Sequence, residues 1–223
     1  MRKSAQIPIK SEQQGIIDPK IIIGGVIALV VIFLLATGSL KFTASVNKNS
    51  GSSTTTQENT KPEQPAQTPT PKPKTYQNEA NKISLEYPSD WSLKENPAAG
   101  YIAGFISPKQ SANDTFQENL GIKAVDTSSQ PNITLQEIAD TWENQTKKSE
   151  STLAVVDRKS STVSGESAKD IVYTFKNQGD SGKGMVRITL KNKKAYIFQY
   201  NALEKDYDKF LPTIETILSS VKF

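Results

Sequence analysis

Two residue types are missing from this chain altogether: its 223 residues include no cysteine and no histidine. Without cysteine there is no disulfide framework, and without either type no thiolate or imidazole can ligate zinc, copper or haem. Ser-His-Asp and Cys-His nucleophilic catalysis are excluded, as is imidazole acid–base chemistry. The missing cysteine also closes a lipoprotein route: the run Leu34-Leu35-Ala36-Thr37-Gly38-Ser39 is lipobox-like, with Ser39 where the acylated cysteine would stand.

A surplus of charge is lacking where it would matter. The net charge is +4, but residues 1–81 carry nine basic and five acidic side chains, whereas residues 82–223 carry eighteen of each. The basic balance belongs to the N-terminal part. A nucleic-acid footprint needs a basic face on the folded domain, so a nucleic-acid partner is not expected.

What is present begins with Ile21–Leu40, an uncharged, proline-free run whose only hydroxyl side chains are Thr37 and Ser39. As a helix it would span roughly 30 Å, the hydrocarbon thickness of a bilayer. Lys20 and Lys41 bracket it, and residues 1–20 hold four basic side chains against two acidic ones. That bias predicts a single-pass anchor at the cell membrane, N-terminus cytoplasmic and the remainder extracytoplasmic. The competing reading is a cleaved signal peptide ending at Ala36-Thr37-Gly38, which the length of the apolar run disfavours. Residues 41–81 are rich in Ser, Thr, Pro and Gln, culminating in Pro69–Lys74. Such a stretch cannot bury enough apolar surface to offset chain ordering, and reads as a disordered tether.

Regular patterning is expected over 82–223. Ile83–Tyr87, Tyr101–Ile106 and Leu120–Val125 read as strands, with Ser107–Asn119 a loop between the last two. Thr134 three residues before Glu137 is a capping box, and Leu135, Ile138, Ala139 and Trp142 form the apolar stripe of a helix over about 135–148. Four strands follow, at Leu153–Asp157, Lys169–Lys176, Met185–Lys191 and Ala195–Ala202, the last two joined by a turn at Asn192-Lys193. A second amphipathic helix carries Tyr207, Phe210, Leu211, Ile214, Ile217 and Leu218, with Pro212 expected near its first turn or at a break, and Asp206 and Asp208 just ahead of it. The expected class is α+β, an antiparallel sheet flanked by helices.

Chemical motifs are sparse. Gly179–Gly184 (GDSGKG) brushes against a serine-protease loop and a phosphate loop. The first lacks its histidine base, and the second lacks the Ser or Thr after Gly-Lys, so a polar hairpin loop is the reading. Sequons at Asn113, Asn132 and Asn144 are as many as chance supplies. Lys191, Lys193 and Lys194 cluster at a hairpin tip, a docking patch for an acidic partner or anionic headgroups if not a solvated turn. No catalytic, cofactor-binding or metal residues are predicted.

The order of elements resembles the PsbP family, whose plant members are extrinsic subunits of photosystem II. The similarity is carried by Tyr87-Pro88-Ser89-Asp90-Trp91, Phe105-Ile106-Ser107-Pro108, Thr134-Leu135-Gln136-Glu137, Val163-Ser164-Gly165-Glu166-Ser167-Ala168, Ala195-Tyr196-Ile197-Phe198 and the end from Tyr207 to Phe223. The resemblance implies an α/β/α sandwich, helices on both faces, shared with nuclear Ran-binding relatives. It implies docking or stabilising subunits without established enzymatic mechanism, and calcium is the one cofactor that family analogy allows. The histidines on which the family's metal proposals rest are absent.

Together these readings predict residues 1–20 as tail, 21–40 as transmembrane helix, 41–81 as tether and 82–223 as a PsbP-like domain. The predicted function is a membrane-anchored, non-catalytic docking module for a protein or envelope partner. The alternatives are an envelope hydrolase using carboxylates or a Ser-Lys pair, and a ligand-sensing ectodomain, the latter disfavoured by a tail of only about 20 residues.

Overall fold

The computed structural model describes residues 72–177 and 179–223. The span expected at 21–40 and most of the tether lie outside the described residues, and no described helix is long and apolar enough to cross a membrane. The elements run β1 (Lys74–Asn78), β2 (Ile83–Tyr87), β3 (Ser92–Glu95), β4 (Tyr101–Ile106), β5 (Asn119–Asp126), α1 (Leu135–Ser149), β6 (Ala154–Val163), β7 (Glu166–Asn177), β8 (Asp180–Lys191), β9 (Lys194–Leu203) and α2 (Glu204–Ser219). Seven strands form one antiparallel sheet in the order β3-β4-β5-β9-β8-β7-β6, and β1 pairs with β2 as a separate hairpin.

Alternation in β9 shows how the layers are built. Tyr196, Phe198, Tyr200 and Ala202 point to one side, where α2 and the β1–β2 hairpin supply Tyr207, Ile214, Ile217, Leu218, Tyr76, Ile83 and Leu85. Ala195, Ile197 and Leu203 point to the other, where α1 supplies Ile138, Ala139 and Trp142. Helices thus lie on both faces, as expected. The α1 capping box is formed: Glu137 N–H donates to Thr134 Oγ1 at 3.2 Å, and Thr134 N–H to Glu137 Oε2 at 2.9 Å.

Four expectations are corrected. The sheet starts earlier than Lys82, because Lys74–Asn78, assigned by sequence to the tether, pairs with β2 and buries Tyr76. A single aromatic anchors it, its ring edge-on to Phe105 at 5.7 Å. Ser92–Glu95 is an added edge strand on β4. Pro212 sits inside a continuous α2, with Asp206 and Asp208 within the same helix. Burial of Tyr207, Ile214, Ile217 and Leu218 outweighs the lost hydrogen bond at the proline. The fourth correction concerns Gly179–Gly184. Strand β8 already begins at Asp180, paired with Asn177, and Gly182 and Gly184 are interior to it.

Those glycines have a packing reason. Phe175 lies opposite Gly182 and Tyr173 opposite Gly184 in the β7–β8 register, and both rings fold flat across the neighbouring strand. A Cβ on Gly184 would stand 2.4 Å from the Tyr173 ring. Gly184→Ala should therefore cost about 2–3 kcal/mol. Gly165→Ala faces open space and bears only the strain of φ +81°, about 1–2 kcal/mol. Urea denaturation of the two variants checks the ranking; an equal cost would mean that the ring is free to move aside.

Candidate functional site

The three lysines singled out by sequence do come to one hairpin tip. Asn192 and Lys193 both take left-handed backbone (φ 52° and 58°), the paired positive φ of a two-residue turn that matches strand twist. Two of the cations are tied down. Lys191 Nζ lies 2.5 Å from Glu166 Oε1. Lys194 Nζ donates to Asn81 Oδ1 at 2.8 Å and to Ala80 O at 3.2 Å, which locks the hairpin to the β1–β2 turn. Lys193 is exposed and forms no ion pair with a described residue. Nearby Asp126 is held below the usual carboxylate range, by Ser128 side-chain and backbone donors and then by the charges of Lys194 and Lys193.

The second cluster is a buried ionic clasp. Arg187 on β8 donates to both Asp170 oxygens on β7 at 2.8 Å and to Glu215 on α2 at 2.9 and 3.0 Å. Ser161 from β6 adds a 2.6 Å hydrogen bond to Asp170, whose side chain is fully buried. Burial alone would push the guanidinium pKa down; the hydrogen bonds from Asp170 and Glu215 more than reverse this, and the net shift is upward. Every nitrogen aims at a carboxylate of the same fold, so the cluster joins three strands to a helix and offers no side to a ligand.

The third cluster is a polar layer on the α1 side of the sheet. Tyr101 O–H donates to Gln199 Oε1 at 2.9 Å, Gln199 Nε2 donates to the Tyr173 hydroxyl at 3.0 Å, and that hydroxyl donates to Asn201 Oδ1 at 2.6 Å. Lys123, fully buried on β5, places its ammonium 4.4 Å from the centre of the Tyr101 ring. Burial pushes the Lys123 pKa down to about 8 and raises those of Tyr101 and Tyr173 above the ordinary phenol range.

Each catalytic possibility raised by the sequence has a location. The buried lysine lies against the Tyr101 ring. A Ser-Lys contact exists elsewhere, Lys176 Nζ donating to Ser181 Oγ at 2.7 Å, but in an exposed hairpin where a donating ammonium is no base. The buried carboxylate Glu118, its pKa raised by burial, accepts from Ser107 Oγ at 2.9 Å. Among the described residues, no three His, Cys, Asp or Glu side chains gather as a metal-ligand set.

Neither Arg187 nor Lys123 was singled out by sequence. For Arg187 a signal existed: the β7–β8 hairpin register puts Asp170 directly opposite it. Lys123, between Ile122 and Ala124, reads like any outward residue of a half-buried strand. Only the cover on the second face reveals it.

Comparison with known proteins agrees with this architecture. The sequence profile of the PsbP family matches residues 72–223. The chain resembles the solution structure of cyanobacterial PsbP (CyanoP) from Synechocystis, with TM-score 0.53 and 14% identity over 68% of this chain and 92% of that one. Lower similarity is found to LpqN, described as involved in cell envelope biogenesis of Mycobacterium tuberculosis (TM-score 0.46, 15% identity, 63% and 82% covered). The Ran-binding protein Mog1p of Saccharomyces cerevisiae is similar at TM-score 0.45 and 6% identity, over 68% and 95%. Among curated proteins, none matches the sequence.

Two measurements follow from the buried charges. Arg187→Ala strands the buried Asp170 carboxylate and should cost about 3–5 kcal/mol. Glu215→Gln, at a carboxylate 41% exposed, should cost less than about 1 kcal/mol. Because the folded-state pKa of Lys123 lies near 8, below the ordinary lysine value of 10.5, the unfolded chain binds the extra proton between those values. Stability should then rise as pH goes from about 8 to 10, and fall above 10 as the buried tyrosines resist ionisation. Lys123→Met should abolish the rise in urea titrations across that window; an unchanged rise would assign it to another group.

Proposed function

The chain belongs to the PsbP family, and on that premise we propose that it is a membrane-anchored, extracytoplasmic docking module that acts without catalysis. The anchor in this reading is Ile21–Leu40, and the stretch before Lys74 is a stalk. As a coil of the 33 residues 41–73, the stalk holds the domain roughly 30 Å from the bilayer.

The observation that carries the reading is the distribution of side-chain commitments. Arg187, Asp170, Gln199 and Tyr173 are buried and satisfied within the fold, so none of these four is held ready at a reacting centre. Lys193 stands outward on a rigid turn. That turn also lies away from the stalk. Asn81 contacts Lys194 and the Tyr196 hydroxyl, which puts the β1–β2 turn at the hairpin end. Lys74 is at the other end of β1, about 17 Å back along the strand. A partner with an acidic surface, a protein or an envelope component, fits a cation presented on the far side from the membrane.

Two experiments test the parts separately. Protease added to intact cells should release the domain by cutting the stalk; full protection would refute the topology. Cross-linking in cells through the full-length protein should capture a partner that Lys193→Glu loses and Lys193→Arg keeps. Capture that ignores both substitutions would move the docking site off the hairpin.

A further inference from the structure

The two edges of the sheet are unlike. On one side lies β3, four residues long. On the other, β6 is ten residues long, exposed along most of its length, and paired only with β7. Such an edge presents a row of outward N–H and C=O groups, the template on which an extended peptide adds as a further strand. A bulge at Val156 interrupts pairing near its start and leaves that side chain 57% exposed; from Asp157 to Val163 the register on β7 is unbroken.

Charge on this edge discriminates among occupants. Arg158 and Lys159 project with side chains 55% and 54% exposed. Arg158 is held by Glu143, but Lys159 reaches Asp170 only at 4.0 Å, and that carboxylate is already occupied by Arg187 and Ser161. Inboard, Lys169 lies opposite Ser160, without an ion-pair partner among the described residues. It borders a notch of about 150 Å³ between α1 and β6–β7, where Gln136 and Asp140 also stand. Ser160 is short, so an acidic side chain on an added strand can lean across it to the Lys169 ammonium.

A second copy of the chain is the poorer occupant. Two-fold antiparallel registers centred on Asp157, Arg158, Lys159 or the Arg158–Lys159 step each set like charges face to face. Centring between Asp157 and Arg158 avoids that but puts Val156 opposite Lys159, and centring on Ser160 avoids it but sets Lys159 against Ser161 and Arg158 against Thr162, bringing no carboxylate to either lysine.

We propose that the outer edge of β6 from Asp157 to Val163 is a strand-addition surface for an extended, acidic peptide segment of a partner protein. The added strand takes the outward backbone groups, displacing the Asp157 carboxylate from the Arg158 N–H, and its carboxylates at successive positions, which face opposite sides of the sheet, pair with Lys159 and Lys169. The surface is separate from the lysine hairpin.

The test is amide hydrogen exchange on the full-length protein in detergent micelles, with two blocked peptides of about seven residues, one carrying Glu at successive central positions flanked by Thr and Val and one with Lys in place of Glu. The acidic peptide should slow exchange over 157–163 by about tenfold and the basic one should have little effect. Lys159→Glu combined with Lys169→Glu should invert that preference, and Lys193→Glu should leave it unchanged, so that failure here is distinguishable from failure of the hairpin docking site. Absence of protection, equal protection by both peptides, or protection confined to β3 would overturn the proposal. Protection that appears without peptide and grows with protein concentration would assign the edge to a second copy, and would overturn it too.

Discussion

Coverage of the sheet on both faces is the constraint from which most of this structure follows. Strands β8 and β9 lie in its middle with α2 and the β1–β2 hairpin on one side and α1 on the other, so every residue of β9 after Lys194 is buried. A half-covered strand leaves alternate residues in water; a doubly covered one does not, and any polar side chain on it must find a partner inside. Arg187, Thr189, Gln199 and Asn201 are the residues on which that requirement falls. Arg187 finds its acceptors on β7 and α2, whereas Gln199 and Asn201 meet tyrosine hydroxyls reaching over from β4 and β7, and the resulting bonds fix how these strands and α2 are seated. An unpartnered buried polar group costs more than a satisfied one contributes, so these bonds select the arrangement more than they stabilise it.

The same double cover explains the use of ring against glycine. On the α1 side, one helix cannot blanket seven strands. Tyr173, Phe175 and Tyr101 fold flat over Gly184, Gly182 and Gly121 and extend the apolar layer sideways. Trp142 of α1 then packs on Tyr173, with centroids 5.2 Å apart. The ring hydroxyls emerge at the edge of this layer and meet Gln199 and Asn201, which is why the polar chain lies where the helix stops. Lys123 falls within the same region, enclosed because the layer above it is continuous.

Legibility in the sequence follows from where each element draws its stability. The α1 start was readable, because Thr134, Glu137 and the stripe through Trp142 are all local. So were Ile83–Tyr87 and the hairpin at Asn192-Lys193, whose signals are alternation and a two-residue turn. By contrast β1 (KTYQN) and β3 (SLKE) contain one buried aromatic and one partly buried leucine between them. They are strands because a formed neighbour offers a ladder, and composition does not report that. Gly182 and Gly184 misled for a related reason: the rings that require them are on another strand, and in isolation the stretch reads as a loop. Pro212 was expected to end or begin a helix, yet the buried residues on either side of it carry the helix through.

The lysine hairpin unites these threads. Of three cations close in sequence, the fold neutralises Lys191 with Glu166 and uses Lys194 as a strut to the β1–β2 turn. The turn itself is fixed by more than its strands, since Thr127 N–H donates to Lys193 O at 2.8 Å and attaches the tip to the segment after β5. A flexible loop that binds a partner must first lose its freedom, and that ordering subtracts from affinity. Here the backbone is already ordered and only the Lys193 side chain remains to be restrained. The neutral charge balance of the domain works in the same direction, because the eighteen acidic side chains of residues 82–223 offset its eighteen basic ones and leave no general basic field around the tip. On the proposed reading of the tip as a docking contact, one charge on an ordered turn acts as a point of register for a shaped acidic surface, whereas a broad basic patch attracts polyanions without register.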